Sequence, residues 1–248
     1  MYEVGSDAPR RNRRQAAALT VGWAAGPSII VWLALLFVLG PLLALIPTVV
    51  VLIALATWQE RRASERILAR VAAKPADPEA HARLHNLVDN LCVTGGLAKP
   101  GLLIASMTAV NAMPLGRSAR QAHLVVTEGA LDRLSRIELE GLLAQSLVRI
   151  RSNDVAPATA AVSAFGPMAG FGPVGRLLSR LTVERLPGAD LAAIGLTRYP
   201  PGLAGALGRA ADGADPVPAL GGGLDLLWAV PAGSSAQVRA RLQALEEL

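Results

Sequence analysis

Gln145, Ser146 and Arg149 stand at positions i, i+1 and i+4 of a stretch that runs from Glu138 to Asp154. Around them Ile137, Leu139, Leu142, Leu143, Leu147 and Ile150 recur at three- and four-residue steps. That recurrence predicts one amphipathic helix with a buried stripe. The polar spacing is the one at which a helix presents two metal-ligating histidines with a general-base glutamate beside the first. Here the spacing is kept and the chemistry is not. Hydrolytic zinc takes three nitrogen or oxygen donors and leaves a fourth position for water. Arginine is permanently cationic and offers no lone pair, and a carboxamide is a poor substitute for imidazole. Serine cannot act as the general base. Without the metal, water stays near its bulk pKa and no hydroxide forms at neutral pH.

Other reactive residues are few. His81 and His85 share an i, i+4 spacing that could hold a metal, but lack the glutamate at i+1 and an evident third ligand. They read either as displaced zinc ligands or as one surface and one partly packed helix histidine. His123, at the start of a strand-like run, reads as structural. Ser146 has no histidine near it in sequence to activate it as a nucleophile. The single cysteine, Cys92, excludes an intrachain disulfide framework and a cysteine-based zinc site. On an apolar helix face it reads as a small buried residue. Gly221-Gly222-Gly223 lacks the strand-before, helix-after context of a phosphate loop and reads as a flexible linker.

The elements that must hold these residues follow from the apolar patterning. Residues 1–15 are polar and basic, closing on Arg10, Arg11, Arg13 and Arg14. From Ala16 to Trp58 no residue is charged, a run too long for one membrane span and sufficient for two of about 20 residues. Gly40-Pro41 is the natural turn, and Pro27 and Pro47 are candidate kinks. Trp58 fits an interfacial belt. The run is too long for the apolar core of a signal peptide. Residues 59–74 read as a charged helix leaving the membrane, stopped by Pro75 and Pro78, with Asp77 a candidate cap.

An amphipathic helix over 79–94 buries Leu84, Leu87, Val88 and Leu91 and ends at Gly95-Gly96. Strand-like runs at 102–110 and 123–127, joined by a polar loop over 114–121, predict a small antiparallel sheet. A helix starts over 128–134, and Ser135 caps the helix that carries Gln145. Residues 155–175 are uncharged and long enough to span, but weakly apolar and broken by Pro157, Pro167 and Pro173. They read as a loop or short helical hairpin on the domain surface. Helix returns over 176–196 with a break at Pro187, then over 203–211. Residues 212–233 form a Gly/Pro-rich connection, and Ser234-Ser235 opens a final helix.

The charge balance assigns topology and narrows the partners. Net charge is +5, and the hydrophobic excess, 52% overall, is concentrated in the first quarter of the 248 residues. The arginines flank apolar segments without interleaved aromatic residues, which favours a membrane surface over nucleic acid. Arg10–Arg14 precede the apolar pair, and Arg61, Arg62, Arg66 and Arg70 follow it. Positive charge on both flanks puts both of them, and the domain that follows, in the cytoplasm. Contact with anionic lipid accompanies that arrangement.

The order of these pieces resembles the HtpX-like membrane zinc metallopeptidases, gluzincins with an N-terminal transmembrane hairpin and a cytoplasmic catalytic domain. The similarity extends over nearly the whole chain. Leu84-His85-Asn86-Leu87-Val88 looks like the family's pre-catalytic helix, and Lys99-Pro100 like the opening of its first strand. Asn111-Ala112, Gly116-Arg117 and Val125-Val126-Thr127-Glu128-Gly129 are similar to its next segments. Glu138-Leu139, Ala144, Ile150 and Asp154 frame the zinc motif. Arg185, Ala189-Asp190 and Leu196-Thr197 resemble the stretch that holds the third ligand, and Ser235, Arg239 and Leu242 the terminal helix.

The resemblance implies an α+β, mostly helical chain in which a transmembrane helical hairpin precedes a zincin-like domain with a small antiparallel sheet. Its divisions are a basic tail (1–15), the hairpin (16–58), a charged juxtamembrane helix and linker (59–78) and the peptidase-like domain (79–248). It implies that the two histidine ligands fall on Gln145 and Arg149, the general base on Ser146 and the glutamate ligand on Leu186, with Asp190 retained. Zinc, the family's cofactor, is then not expected to bind, and no catalytic residue is assigned. Arg149 is expected to pair with Asp190 or Asp154 and stand in structurally for the metal. The expected localisation is a multi-pass protein of the cell membrane with its main domain in the cytoplasm. The expected role is binding: to the bilayer and to an active paralogous protease or another membrane protein subunit, in membrane protein quality control or a membrane complex. The alternatives are a zinc metalloendopeptidase with displaced ligands at His81 and His85, and a purely structural subunit of a membrane complex.

Overall fold

Gly40 turns the chain back on itself. In the computed structural model, which describes residues 7–212 and 220–247, helix runs from Ala8 to Val71 (α1) with one non-helical residue, Gly40, at φ 73° and ψ 167°. Side chains rarely adopt that backbone, and glycine does so freely. Pro41 then opens the second arm, where its missing N–H costs nothing. A straight helix of 64 residues would be about 96 Å long. Instead Trp23 and Trp58 stack with ring centroids 6.3 Å apart, so the two arms lie side by side. Pro27 and Pro47 sit inside the arms without breaking them. Towards the turn the arms expose Ile29, Ile30, Phe37, Val38, Leu42 and Ile46 to solvent. By length and composition α1 can cross a membrane.

The base of α1 belongs to the folded body. Its first turns contain Arg10 to Arg14, and Asn12 and Thr20 are buried. At the other end Ile67 and Val71 join a core with Val125, Leu178 and Trp228. Lys74–Pro75 (β1) then adds a short edge strand to the sheet. The charged segment that follows the apolar arms therefore continues into the folded body.

The sheet is mixed, a correction to the antiparallel pair expected from sequence. Gly101–Ala105 (β2), Ala112–Gly116 (β3) and Ala122–Thr127 (β4) join β1 in the order β1-β2-β4-β3. β2 and β4 are parallel, and the other two pairs are antiparallel. The difference lies in β3, which occupies what reads as the start of a polar loop. Pro114 gives that impression because proline cannot donate to a ladder, yet it is tolerated on an edge strand. With β3 outermost, the chain reverses twice between β2 and β4, which must then run the same way.

Both faces of the sheet are covered. Leu102, Ile104, Leu124 and Val126 face one core, with Ala82–Gly95 (α2) and Arg136–Arg151 (α4). Leu103, Ala105, Val125, Met113 and Leu115 face the other, with the base of α1 and Val155–Phe165 (α5). Double burial explains why the strands read as continuous apolar runs and not as alternating ones.

After Glu128–Arg133 (α3), α4 starts at a full capping box. Ser135 N donates to Glu138 at 2.8 Å, and Glu138 N to Ser135 Oγ at 3.4 Å. Ser135→Ala is expected to lower stability by about 1 kcal/mol, measured by thermal unfolding of the detergent-solubilised chain. The expected one-sided stripe on α4 needs correction. Ile137 is 52% exposed, while every residue from Gly141 to Ile150 is buried, the polar ones included. The cause is enclosure by α2, β3, Leu186–Thr197 (α7) and Pro200–Asp212 (α8). Gly141 permits the last of these approaches, since a Cβ there would meet Leu203 N at 2.5 Å.

The stretch from 155 to 175 differs most from expectation. Its first half is not a surface element: α5 is packed between α1 and the sheet, with Ala158, Ala161 and Val162 buried, whereas Met168 and Phe171 after it are exposed. Small residues make it weakly apolar and also let the helices approach closely. The helix expected over 176–196 with a break at Pro187 is two helices, Gly172–Leu181 (α6) and α7, with the break earlier, at Thr182, and Pro187 in the first turn of α7. Of the Gly/Pro-rich connection, residues 213–219 lie outside the described residues. Its remainder is folded and not a flexible linker: Gly221, Gly222 and Gly223 all have positive φ in a tight turn, and Trp228 is fully buried. Trp228→Ala should cost about 3–5 kcal/mol, read as a fall in the midpoint of unfolding followed by tryptophan-independent circular dichroism. Ser235–Glu246 (α9) closes the chain against α8.

Candidate functional site

The polar residues of α4 are enclosed, and each has a different fate. Gln145 donates from Nε2 to Asp190 Oδ1 at 3.2 Å. Ser146 turns its hydroxyl back onto its own helix, donating to Leu142 O at 3.2 Å. Arg149 is 1% exposed, and its Nε lies 3.6 Å from Asp154 Oδ2. None of its three guanidinium nitrogens has a hydrogen-bond partner among the described residues. Burial pulls its pKa down, and the charge of nearby Asp154 pulls it back up. Arginine starts so high that it keeps its proton.

Asp190, on α7, is held by Arg241 of α9. Arg241 Nε donates to Oδ2 at 2.6 Å and Nη2 to Oδ1 at 2.8 Å, a bidentate pair with both side chains 3% exposed. The remaining Arg241 nitrogen, Nη1, donates to Ala229 O at 2.7 Å. Asp190 is thus committed to Arg241 and Gln145. Arg149 lies near Asp154 instead, and Asp154 also receives Arg185 Nη1. Arg185 is tied further to the base of α1, to Asn12 Oδ1 at 3.2 Å and to Gln15 Oε1 at 2.8 Å. Leu186 is buried at the start of α7 and contributes no donor. The result is three guanidinium groups against two carboxylates.

Sequence reasoning missed Arg241, although a signal existed. Val238, Arg241 and Leu245 are spaced as one buried helical stripe, and all three are buried. A charged residue inside such a stripe requires a buried partner. Arg185 reads in sequence only as part of a similar segment; its role in joining α1, Asp154 and α7 depends on the fold.

The donor set around Arg149 does not suit zinc. Gln145 offers only a carboxamide oxygen, a poor substitute for imidazole, Ser146 is bonded to its own helix, and Arg149 has no lone pair to offer. Both oxygens of Asp190 already accept from Arg241. Among the described residues no three His, Cys, Asp or Glu side chains converge. His85 Nε2 lies 3.2 Å from Ala76 O and His81 Nδ1 3.3 Å from Asp77 O, so each has a backbone carbonyl as its neighbour. His123 is partly buried, which lowers its pKa, and its ring packs against Gly101. Cys92 is buried, and burial pushes its thiol pKa up, away from reactivity.

The outer edge of β3, where an extended partner strand could add, is closed. Ala112 N donates to Asn111 Oδ1 at 3.0 Å, and Ala112 O accepts from Ala229 N at 2.9 Å. Pro114 has no donor, and Gly116 N is bound to Thr159 Oγ1 at 3.1 Å. Asn111 secures this closure, since its Nδ2 also donates to Val230 O at 2.6 Å and its Oδ1 accepts from Val230 N at 3.1 Å. Asn111→Ala leaves buried backbone groups unpaired and is expected to cost about 2–4 kcal/mol, seen as a lowered unfolding midpoint.

Known proteins similar to this chain include several described as protease HtpX homologues. The protease HtpX homologue of Thermoanaerobacter pseudethanolicus is 35% identical over 106 residues, covering 42% of this chain and 36% of that protein. Protease HtpX homologue 1 of Streptomyces coelicolor is 36% identical over 124 residues, 50% of this chain and 40% of that protein. Over these stretches the chain is similar to proteins described as protease HtpX homologues. A third HtpX homologue, from Dictyoglomus turgidum, is 28% identical over 191 residues, 63% of each chain. These matches cover part of the chain, less than the near-complete resemblance read from sequence. The chain spans well under half the length of the first two HtpX homologues. No family model and no solved structure matches it.

Proposed function

We propose that this HtpX homologue is anchored in a membrane by its N-terminal hairpin, carries no zinc and works by binding instead of by proteolysis. The observation that carries this reading is the closed network of Asp190, Arg241 and Gln145. It fills with ion pairs and hydrogen bonds the region where the family resemblance implies metal ligands. Ser146, at the position the resemblance implies for the general base, is a hydroxyl bonded to its own helix.

The anchor reading rests on dimensions. From Trp23 or Trp58 to the turn at Gly40 is 17 or 18 residues, about 26 Å of helix, close to the hydrocarbon thickness of a bilayer. The stacked tryptophans then lie at one interface, with Arg66 over the Trp58 ring at 4.7 Å. The arginines on both flanks hold the body on the cytoplasmic side.

With the β3 edge closed, strand addition there is not the mode of partner binding. The partner class that fits is another membrane protein, an active paralogous protease or a subunit of a larger complex, engaged through the hairpin or the body's surface. Gentle detergent extraction and identification of co-purifying membrane proteins tests this. A membrane protease or complex recovered with the wild-type chain, and lost when the hairpin is exchanged for an unrelated one, is the expected result. Extraction of the chain alone, with zinc-dependent cleavage abolished by His81→Ala and His85→Ala, would establish the displaced-ligand enzyme instead.

A further inference from the structure

Arg149 is one wall of a cleft of about 940 Å³ between the base of α1, α4 and α7. Its charged lining consists of Arg11, Arg14, Arg149 and Arg185 against Asp154 and Glu184. The cleft therefore carries two more positive charges than negative ones. Asp154 accepts from Arg185 through Oδ1, while Arg149 stays 3.6 Å from Oδ2 without a hydrogen bond. A guanidinium carries five N–H donors. Arg149 is 1% exposed, and none of its nitrogens is used among the described residues. A buried cation left in that state is costly, and an anion that accepts its hydrogen bonds relieves the cost.

We propose that this cleft binds a phosphate-class anion, with Arg149 as the buried recognition residue and Arg11, Arg14 and Arg185 as its flanks. Three features select phosphate. Guanidinium forks match its oxygens in pairs. A net excess of two positive charges suits a mono- or dianion. The volume holds a phosphoester together with part of whatever it is esterified to. Arg185 is fixed for the purpose by Asn12 and Gln15, so the flank of the site is built before the ligand arrives.

Two sources supply that chemistry, an anionic lipid headgroup and a soluble phosphate or phosphoester. The position of the cleft favours the lipid. Ala18, which lines the cleft, is five residues from Trp23, about 7.5 Å along the helix. The lining of the cleft thus reaches to just below the tryptophan pair, which the membrane reading puts at headgroup depth. The site does not require the chain to be inactive as a protease; only the lipid source rests on the membrane reading.

The test uses the full chain in detergent and in nanodiscs. Native mass spectrometry after mild extraction is expected to retain one phosphatidylglycerol per wild-type chain and none per Arg149→Met chain. Thermal unfolding is read in parallel, with inorganic phosphate or with nanodiscs of phosphatidylglycerol against phosphatidylcholine. Phosphatidylglycerol is expected to raise the wild-type midpoint and to leave Arg149→Met unmoved; Arg149→Lys, which keeps the charge but not the fork, is expected to keep only part of the shift. Stabilisation by inorganic phosphate alone, lost in Arg149→Met, would identify the soluble source for the same site. An equal response of wild type and Arg149→Met to both anions, or no response of either, would overturn the proposal. Circular dichroism of each variant establishes that it is folded before its response is scored.

Discussion

Asp190→Ala is expected to destabilise the protein by about 3–5 kcal/mol, because it strands a buried arginine. Arg241 is 4% exposed and sits in the apolar stripe of α9 between Val238 and Leu245. Two of its nitrogens donate to Asp190 and the third to Ala229 O. Removing the carboxylate leaves a cation that cannot shed its proton and has little access to water. Gln145 Nε2 loses its acceptor as well, and Gln145 Oε1 has no donor among the described residues to compensate. The double substitution Asp190→Leu with Arg241→Leu removes both charges and should recover most of the loss. Chemical unfolding of the four proteins in a double-mutant cycle measures this. A near-additive cycle would show that the pair is not coupled.

Arg149→Met should have the opposite sign. The substituted side chain is unbranched and flexible enough to fill the space, and it takes away a buried charge that has no hydrogen-bond partner among the described residues. Asp154 keeps its bond to Arg185. In buffer free of phosphate and in neutral detergent, the variant is expected to gain about 1–4 kcal/mol. The pairing of the two experiments is informative because both residues are buried arginine-network members at neighbouring positions. A satisfied ion pair loses stability when cut, and an unsatisfied charge gives stability when removed. If Arg149→Met destabilises under those conditions, Arg149 is holding the fold through Asp154, and the cleft needs no anion to be stable.

The parts of the fold that were legible in sequence are those set by local patterning. The uncharged run with its Gly40-Pro41 turn, the capped start of α4 at Ser135 and the end of α2 at Gly96 all depend on residues within a few positions of one another. What was not legible depends on distant partners. Pro114 looks like a loop residue until the edge position of β3 is known. The small residues of α5 look like a surface segment until α1 and the sheet close over them. Arg241 looks like one arginine among many until α9 brings it to Asp190, 51 residues away in sequence. The candidate site shows the same division. That Gln145, Ser146 and Arg149 lack zinc chemistry follows from their side chains alone. That Asp190 is already taken, and that Arg149 pairs with Asp154 at 3.6 Å without a hydrogen bond, depends on the packing of α7 against α4 and of α9 against α7.

The proposed function has a network of arginines and carboxylates in the place where the family resemblance implies a metal centre. Elemental mass spectrometry of the full chain, purified in detergent with zinc supplied during growth, tests it directly, together with casein cleavage by the same sample. The expected result is zinc far below one ion per chain and no cleavage that a chelator can stop. One zinc per chain, with cleavage that the chelator abolishes and zinc restores, would contradict it.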